Sequence, residues 1–231
     1  MSGHAWKEYR AGHARVSARL GALVLLGLVA CGSTARAEGG STAAAPPVQA
    51  VWVEHDVKFT YVGRTTYYSC DGLRDKVRYI LEQVGARKKD LKVKVDCINR
   101  SGVELMPRVR IHAVMPTPAT PEVLAQLAAE APKRELVARV KGSGEGTDAA
   151  TAQFPATWNR VVFDGGRSYR VADGDCELFE QMVREVFVPL GVRVAPETRL
   201  TCLHHDIAIG AVLVKVDSLA RMPEPGQPPA H

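Results

Sequence analysis

The sequence lacks the short motifs that announce an enzyme. Across 231 residues there is no G-x-S-x-G turn, no H-E-x-x-H helix and no C-x-x-C pair. These absences remove the usual serine-hydrolase, zinc-protease and dithiol-oxidoreductase signatures. The apolar run Leu20–Ala30, LGALVLLGLVA, falls short of the roughly 20 residues a membrane-spanning helix needs. Net charge is also scarce. The whole chain has 30 basic and 25 acidic residues, but residues 1–37 hold five basic (Lys7, Arg10, Arg15, Arg19, Arg36) and one acidic (Glu8). From Glu38 onward 25 basic residues face 24 acidic ones, a net charge of +1. The basic pI therefore belongs to the leader, and no nucleic-acid partner is expected.

The leader has the order of a secretory signal: charged, then apolar, then small residues. Two processing routes stay open. Leu28-Val29-Ala30-Cys31 resembles a bacterial lipobox, in which Cys31 would be acylated, whereas Ala35-Arg36-Ala37 fits ordinary cleavage before Glu38. Residues 1–37 are thus assigned to the signal peptide and 38–50, small and Pro-containing, to a flexible lead. Either route accounts for Cys31. Four of the five cysteines remain, an even number suited to two bridges in an oxidising compartment.

Those four cysteines bound two related stretches, Cys70–Cys97 and Cys176–Cys202. Eighteen positions align without a gap: Cys70 meets Cys176, Asp71 meets Glu177, Leu73 meets Phe179, Val77 meets Val183, Gly85 meets Gly191 and Arg87 meets Arg193. A matching cysteine pair, glycine and apolar phase read as an internal duplication. In the first copy Leu73, Val77, Ile80, Leu81 and Val84 fall on one face of a helix over 70–84. Ser69 stands at its N-cap position, and Gly85 stands where a left-handed cap ends the helix. Leu91, Val93, Val95 and Cys97 then alternate with polar residues, which predicts a half-buried strand over 91–97. Helix–strand bridges Cys70–Cys97 and Cys176–Cys202 follow.

The rest of the first copy reads as a strand over 57–62, a strand over 108–115, a helix over 121–131 ending before Pro132, and a strand over 135–141. The order is β-α-β-β-α-β, that of a ferredoxin-like split βαβ. The second copy has a strand over 158–163, a helix over 175–189, a strand over 198–203 and an apolar strand over 207–216. It stops at βαββ, which would leave it to share a sheet with the first copy. The expected class is α+β: two related disulfide-stapled βαββ units of ferredoxin-like character. The first occupies 51–142, a linker 143–156, the second 157–220, and a Pro-rich tail 221–231 is expected to be disordered.

The run FTYVGRTTYYSCDGLRDKVRYILEQVGARKKDLKVKVDC, with its aromatic strand, YSCDGL-type helix start, GAR turn and second cysteine, resembles a family of uncharacterised exported bacterial proteins. The similarity covers roughly residues 51–220. It implies export and carries no activity, cofactor or catalytic residue.

Three stretches invite chemistry. Gly63-Arg64 beside Tyr67 and Tyr68, and Gly166-Arg167 beside Tyr169, lie between a strand and a helix N-terminus. Backbone N–H groups there, with Arg64 and Arg167, would hold an anion or a carboxylate; a tight turn with tyrosines over the disulfide is favoured, because neither loop has the glycine density of a phosphate cradle. His204, His205 and Asp206 are ligand types for a transition metal, but adjacent residues point apart, so a solvated turn is favoured and no metal or other cofactor is expected. Residues 38–118 hold thirteen basic and nine acidic residues, with Lys92 and Lys94 on one strand face. That face would suit an acidic surface such as anionic lipid or polysaccharide, although the usual reading of such a face is a solvated one with counter-charges. The function expected is a non-catalytic exported binding or envelope-interaction protein, with an envelope component or small anionic ligand as partner and membrane contact only through an anchor at Cys31. The alternatives are a periplasmic hydrolase or metal-dependent enzyme, and a structural lipoprotein of the cell envelope.

Overall fold

The structure, a computed structural model, describes residues 46–97, 102–141, 152–166, 170–202 and 211–223. The described residues form an α+β fold, with one antiparallel sheet of seven strands and three helices among them. The strands are β1 (Val48–Thr60), β2 (Lys92–Asp96), β3 (Arg108–Pro118), β4 (Phe154–Asp164), β5 (Arg193–Val194), β6 (Arg199–Thr201) and β7 (Ala211–Arg221). The helices are α1 (Cys70–Gln83), α2 (Pro121–Lys141) and α3 (Cys176–Met182), the last continued by a π-helical turn, Val183–Phe187. The sheet order is β2-β3-β1-β4-β7-β5, with β6 also on β7. Since β1 and β2 are each antiparallel to β3, they run in the same direction.

Helix α1 forms where its spacing predicts. Leu73, Val77, Ile80 and Leu81 are buried, and the Ser69 hydroxyl accepts from the Gly72 N–H. Gly85 has φ +94° and Gly191 has φ +73°, the two positive values among the described residues. The hydrogen bonds around them correspond. Val84, Gly85 and Ala86 donate to Ile80, Glu82 and Leu81; Leu190, Gly191 and Val192 donate to Val186, Val188 and Phe187. In each case the bond reaching back five residues closes a Schellman cap, which only a left-handed residue permits.

Period-two burial divides the sheet into two faces. Val57 and Phe59 of β1 with Tyr61 just after it, Val109, Ile111, Ala113 and Met115 of β3, Phe163 of β4 and Val212, Val214 and Val216 of β7 join α1 and α3 in one apolar core. The alternate residues Ala50, Phe154 and Ala156, together with Leu219, form a smaller cluster with Val48, Trp52 and Trp158 on the other face. The expected bridges are present. Cys70–Cys97 has its Cα atoms 6.4 Å apart and Cys176–Cys202 5.5 Å apart, both within disulfide range.

The segment 135–141 departs from expectation. It belongs to α2, which passes through Pro132 instead of ending before it. Glu135-Leu-Val-Ala-Arg-Val-Lys alternates like a strand, but it also places Glu135 four residues before Arg139, and the two pair on the helix. Pro132 removes one backbone donor, and nearby the Arg134 guanidinium donates to the Leu127 carbonyl at 2.6 Å. The place beside β1 goes to β4, which begins at Phe154, within the expected linker. The described part of the last strand, whose apolar sequence suits cover on both faces, is buried on one: Val212, Val214 and Val216 are buried, while Leu213 and Lys215 between them, and Asp217 after them, are half-exposed. The strand expected over 198–203 is the short β6, and a further short strand, β5, precedes it. The break between them falls at Ala195–Thr198, where Pro196 cannot donate to a ladder and Ala195 returns to the Lys215 carbonyl.

Candidate functional site

Two features stand out from the packing: a polar junction near the start of α3, and the face of the sheet opposite α1 and α3. The junction contains two buried carboxylates, Asp175 and Glu177. Asp175 accepts from the Tyr68 hydroxyl, from Lys76 Nζ at 2.8 Å and from the Ala172 N–H at 2.8 Å. Glu177 accepts from the Arg64 N–H at 2.9 Å and from the Thr65 N–H at 3.2 and 3.3 Å. Gln181 closes the set by exchanging two bonds with the Val62 backbone, each at 2.9 Å. Residues 62–76 are thus fastened to residues 172–181. The Tyr61 and Tyr68 hydroxyls are held well above the ordinary phenol range, first by burial; for Tyr68 its bond to Asp175 adds to this, and for Tyr61 the nearby Glu177 charge.

This arrangement answers one sequence expectation in an unforeseen way. The loop at Arg64 does hold a carboxylate on its backbone N–H groups, and that carboxylate is Glu177 of the same chain. Arg167 of the second loop lies outside the described residues, as do Cys31 and His204, His205 and Asp206. Among the described residues no group of three or more His, Cys, Asp or Glu is placed to hold a metal ion. Asp56 and His112 approach to 3.1 Å across β1 and β3, a pair without a third ligand type.

On the opposite sheet face, the pairing places polar residues in rows across β2, β3 and β1. Lys94 is opposite Arg110, and Arg110 is opposite Lys58, so three cations share one row. All three are exposed. The flanking rows are Asp96, Arg108 and Thr60 on one side and Lys92, His112 and Asp56 on the other. Arg110 reaches diagonally to Asp96 at 2.5 Å. Like charges directly opposite on neighbouring strands destabilise a sheet, and the Arg110–Asp96 pair offsets this for Arg110 alone among the three.

Further along the same face, at the meeting of β1 and β4, stands a set of aromatic and arginine contacts. Trp52 and Phe154 have ring centroids 4.9 Å apart. The Arg87 guanidinium lies 5.1 Å from the Trp52 ring, Arg193 lies 3.8 Å from Trp158, and Arg221 lies 5.5 Å from Phe154. Sequence reasoning aligned Arg87 with Arg193 but passed over Trp52, Phe154 and Arg221. The signal was available: Trp52 and Trp158 are separated by the same 106 positions as Cys70 and Cys176, and as Arg87 and Arg193.

Chemically, the buried acids serve as hydrogen-bond acceptors for tertiary structure, while the exposed cations face solvent. In comparisons with protein-family models, curated proteins and solved structures, nothing matches the chain.

Proposed function

We propose that this chain is a non-catalytic exported binding module, and that an acidic component of the cell envelope docks on the open sheet face. The observation that carries the reading is the cation row Lys94–Arg110–Lys58, exposed on three neighbouring strands. Arg110 is paired with Asp96, but like charges at Lys94 and Lys58 on either side of it remain unfavourable, and departures from local rules of this kind concentrate where a surface meets something else. The junction carboxylates support the same reading. Asp175 and Glu177 are committed to backbone and side-chain donors, an arrangement suited to holding structure rather than to moving protons.

The module is further proposed to be an internal duplication of ferredoxin-like character. The order β2-β3-β1-β4, with α1 and α2 as the two crossovers, is that of a split βαβ pair. The β1–β4 pairing supports duplication: Val48 opposes Ala156, Gln49 opposes Pro155 and Ala50 opposes Phe154. With the 106-residue offset of the cysteines, Gln49 and Pro155 are equivalent positions, so the two copies meet symmetrically about that pair.

Export rests on the leader and the two bridges, which persist in oxidising compartments. No helix among the described residues is long and apolar enough to cross a membrane. Processing before Glu38, or acylation at Cys31, is read by the intact mass of the exported chain; the acylated form would make it a lipoprotein. The binding proposal is tested by retention of the exported chain on immobilised dextran sulfate and by co-sedimentation with anionic vesicles. Wild type should be retained by at least one of them in a salt-sensitive manner, and Lys58→Gln with Lys94→Gln should weaken that retention. If the double variant behaves as wild type, the sheet face is not the docking surface.

A further inference from the structure

At the end of the sheet where β3 begins, residues 102–107 expose three large apolar side chains: Val103 (57% exposed), Leu105 (64%) and Met106 (61%). Tyr67 and Val62, both also exposed, lie at the same end. This tip is firmly based. Val103 bridges Ser69, Cys70 Sγ lies 3.9 Å from the Gly102 carbonyl, the Tyr61 N–H donates to the Pro107 carbonyl at 3.0 Å, and Pro107 is buried. Glu104, between the apolar residues, is half-buried and engaged. Exposed aliphatic residues in such a group mark a contact surface rather than scatter.

The cations stand directly behind the tip. Arg108 is the first residue of β3 and is exposed, and the row Lys94–Arg110–Lys58 follows two residues later, about 7 Å further along the strands. Arg64 is exposed beside Tyr67, whose hydroxyl donates to the Arg64 carbonyl. The acids at this end are engaged: Asp96 with Arg110, and Asp71 and Asp75 with Arg74. Resting on the reading that an acidic partner docks here, we infer that this partner is the anionic surface of a lipid bilayer, with Val103, Leu105 and Met106 entering the boundary between headgroups and acyl chains. The spacing fits. Apolar groups of surface-bound proteins enter that boundary by about 5–10 Å, which brings the Arg108 and Arg110 rows to the level of the phosphates. A soluble acidic polysaccharide would satisfy the cations and leave the aliphatic tip in water.

The test uses the chain purified from an exporting host, so that whatever its N-terminus carries is common to all variants. Sedimentation with vesicles of phosphatidylglycerol and phosphatidylethanolamine is compared with phosphatidylcholine alone, and dextran sulfate serves as the charge-only partner. Wild type should partition onto the anionic vesicles about tenfold or more better than onto the neutral ones. Leu105→Ser with Met106→Ser should lower that partition at least about tenfold and leave retention on dextran sulfate unchanged. Leu105→Phe with Met106→Phe should raise it, which keeps the test decisive if the serine variant folds poorly. The inference is overturned if the serine and phenylalanine variants sediment as wild type does, or if wild type ignores anionic vesicles while dextran sulfate retains it. The latter result leaves the acidic-partner reading standing; failure on both polyanions removes both.

Discussion

Removing the Glu177 carboxylate should cost this protein more than removing any acid on its surface. Glu177 and Asp71 occupy matching positions in the two cysteine-bounded stretches, one residue after Cys176 and Cys70. Their surroundings differ completely. Glu177 is 2% exposed and accepts from the Arg64 and Thr65 N–H groups; the Asp71 side chain is 79% exposed and pairs with Arg74 on the helix surface. Glu177→Ala leaves two backbone donors without their acceptor, worth about 1 kcal/mol each where water can partly reach them. It also deletes one buried methylene, worth about 0.8 kcal/mol. The expected destabilisation is about 2–4 kcal/mol. Glu177→Gln keeps the packing and one acceptor oxygen, and should cost about 1–2 kcal/mol. Asp71→Ala loses an exposed pair and a favourable first-turn charge, together worth about 1 kcal/mol or less. The assay is urea unfolding at pH 7 with both bridges intact, comparing midpoints at constant slope. A Glu177→Ala midpoint no lower than that of Asp71→Ala would refute the reasoning that this carboxylate fastens the loop at Arg64 to α3.

Each disulfide spans 27 or 26 residues, a loop whose closure is worth about 3 kcal/mol in the chain-entropy account, so Cys70→Ala/Cys97→Ala and Cys176→Ala/Cys202→Ala should each lower the melting temperature under oxidising conditions and reduce its response to reductant. Gly85→Ala and Gly191→Ala both place a side chain at positive φ, at a cost of about 1 kcal/mol, but only at Gly85 would the new Cβ meet a backbone atom, the Leu219 carbonyl, at 3.0 Å; chemical denaturation should therefore rank Gly85→Ala as the more harmful. Burial holds the His55 imidazole below its ordinary value against the opposing pull of the Pro189 backbone and Asp56, and its Nε2 is buried without a hydrogen-bond partner. The unfolded chain then takes up its proton first as pH falls below about 6.5, so this group's share of stability is present above that value and lost below it. Melts at pH 7.5 and 5.5 should fall less steeply for His55→Gln than for wild type, and parallel curves would remove His55 from the account.

Helix α1 was legible because three independent signals agreed on it. Leu73, Val77, Ile80 and Leu81 repeat at helical spacing, Ser69 supplies a cap oxygen, and Gly85 is the residue that can turn left-handed. The bridges were legible for a related reason: Cys97 is in phase with the apolar side of its strand, and Cys70 starts the helix that covers it. Segment 135–141 was misread because its alternation suits a strand and its Glu135–Arg139 spacing suits a helix; local pattern alone does not choose between them. The loop at Arg64 was read as a tight turn first and a place for an anion second; its backbone does hold a carboxylate, but the identity of that carboxylate depended on a residue 113 positions away.

By itself the sequence determined the short-range features of this protein: where α1 begins and ends, which strand face is apolar, and which cysteines are close enough to join. These follow from side-chain period and backbone conformation, which act over a few residues. Only the tertiary structure decided which of two equivalent acids is buried, that β4 rather than residues 135–141 lies beside β1, and that Lys58, Lys94 and Arg110 share a row behind an aliphatic tip. Those outcomes depend on strand register and on contacts between distant segments, where a shift of one residue would turn each of these side chains to the opposite face.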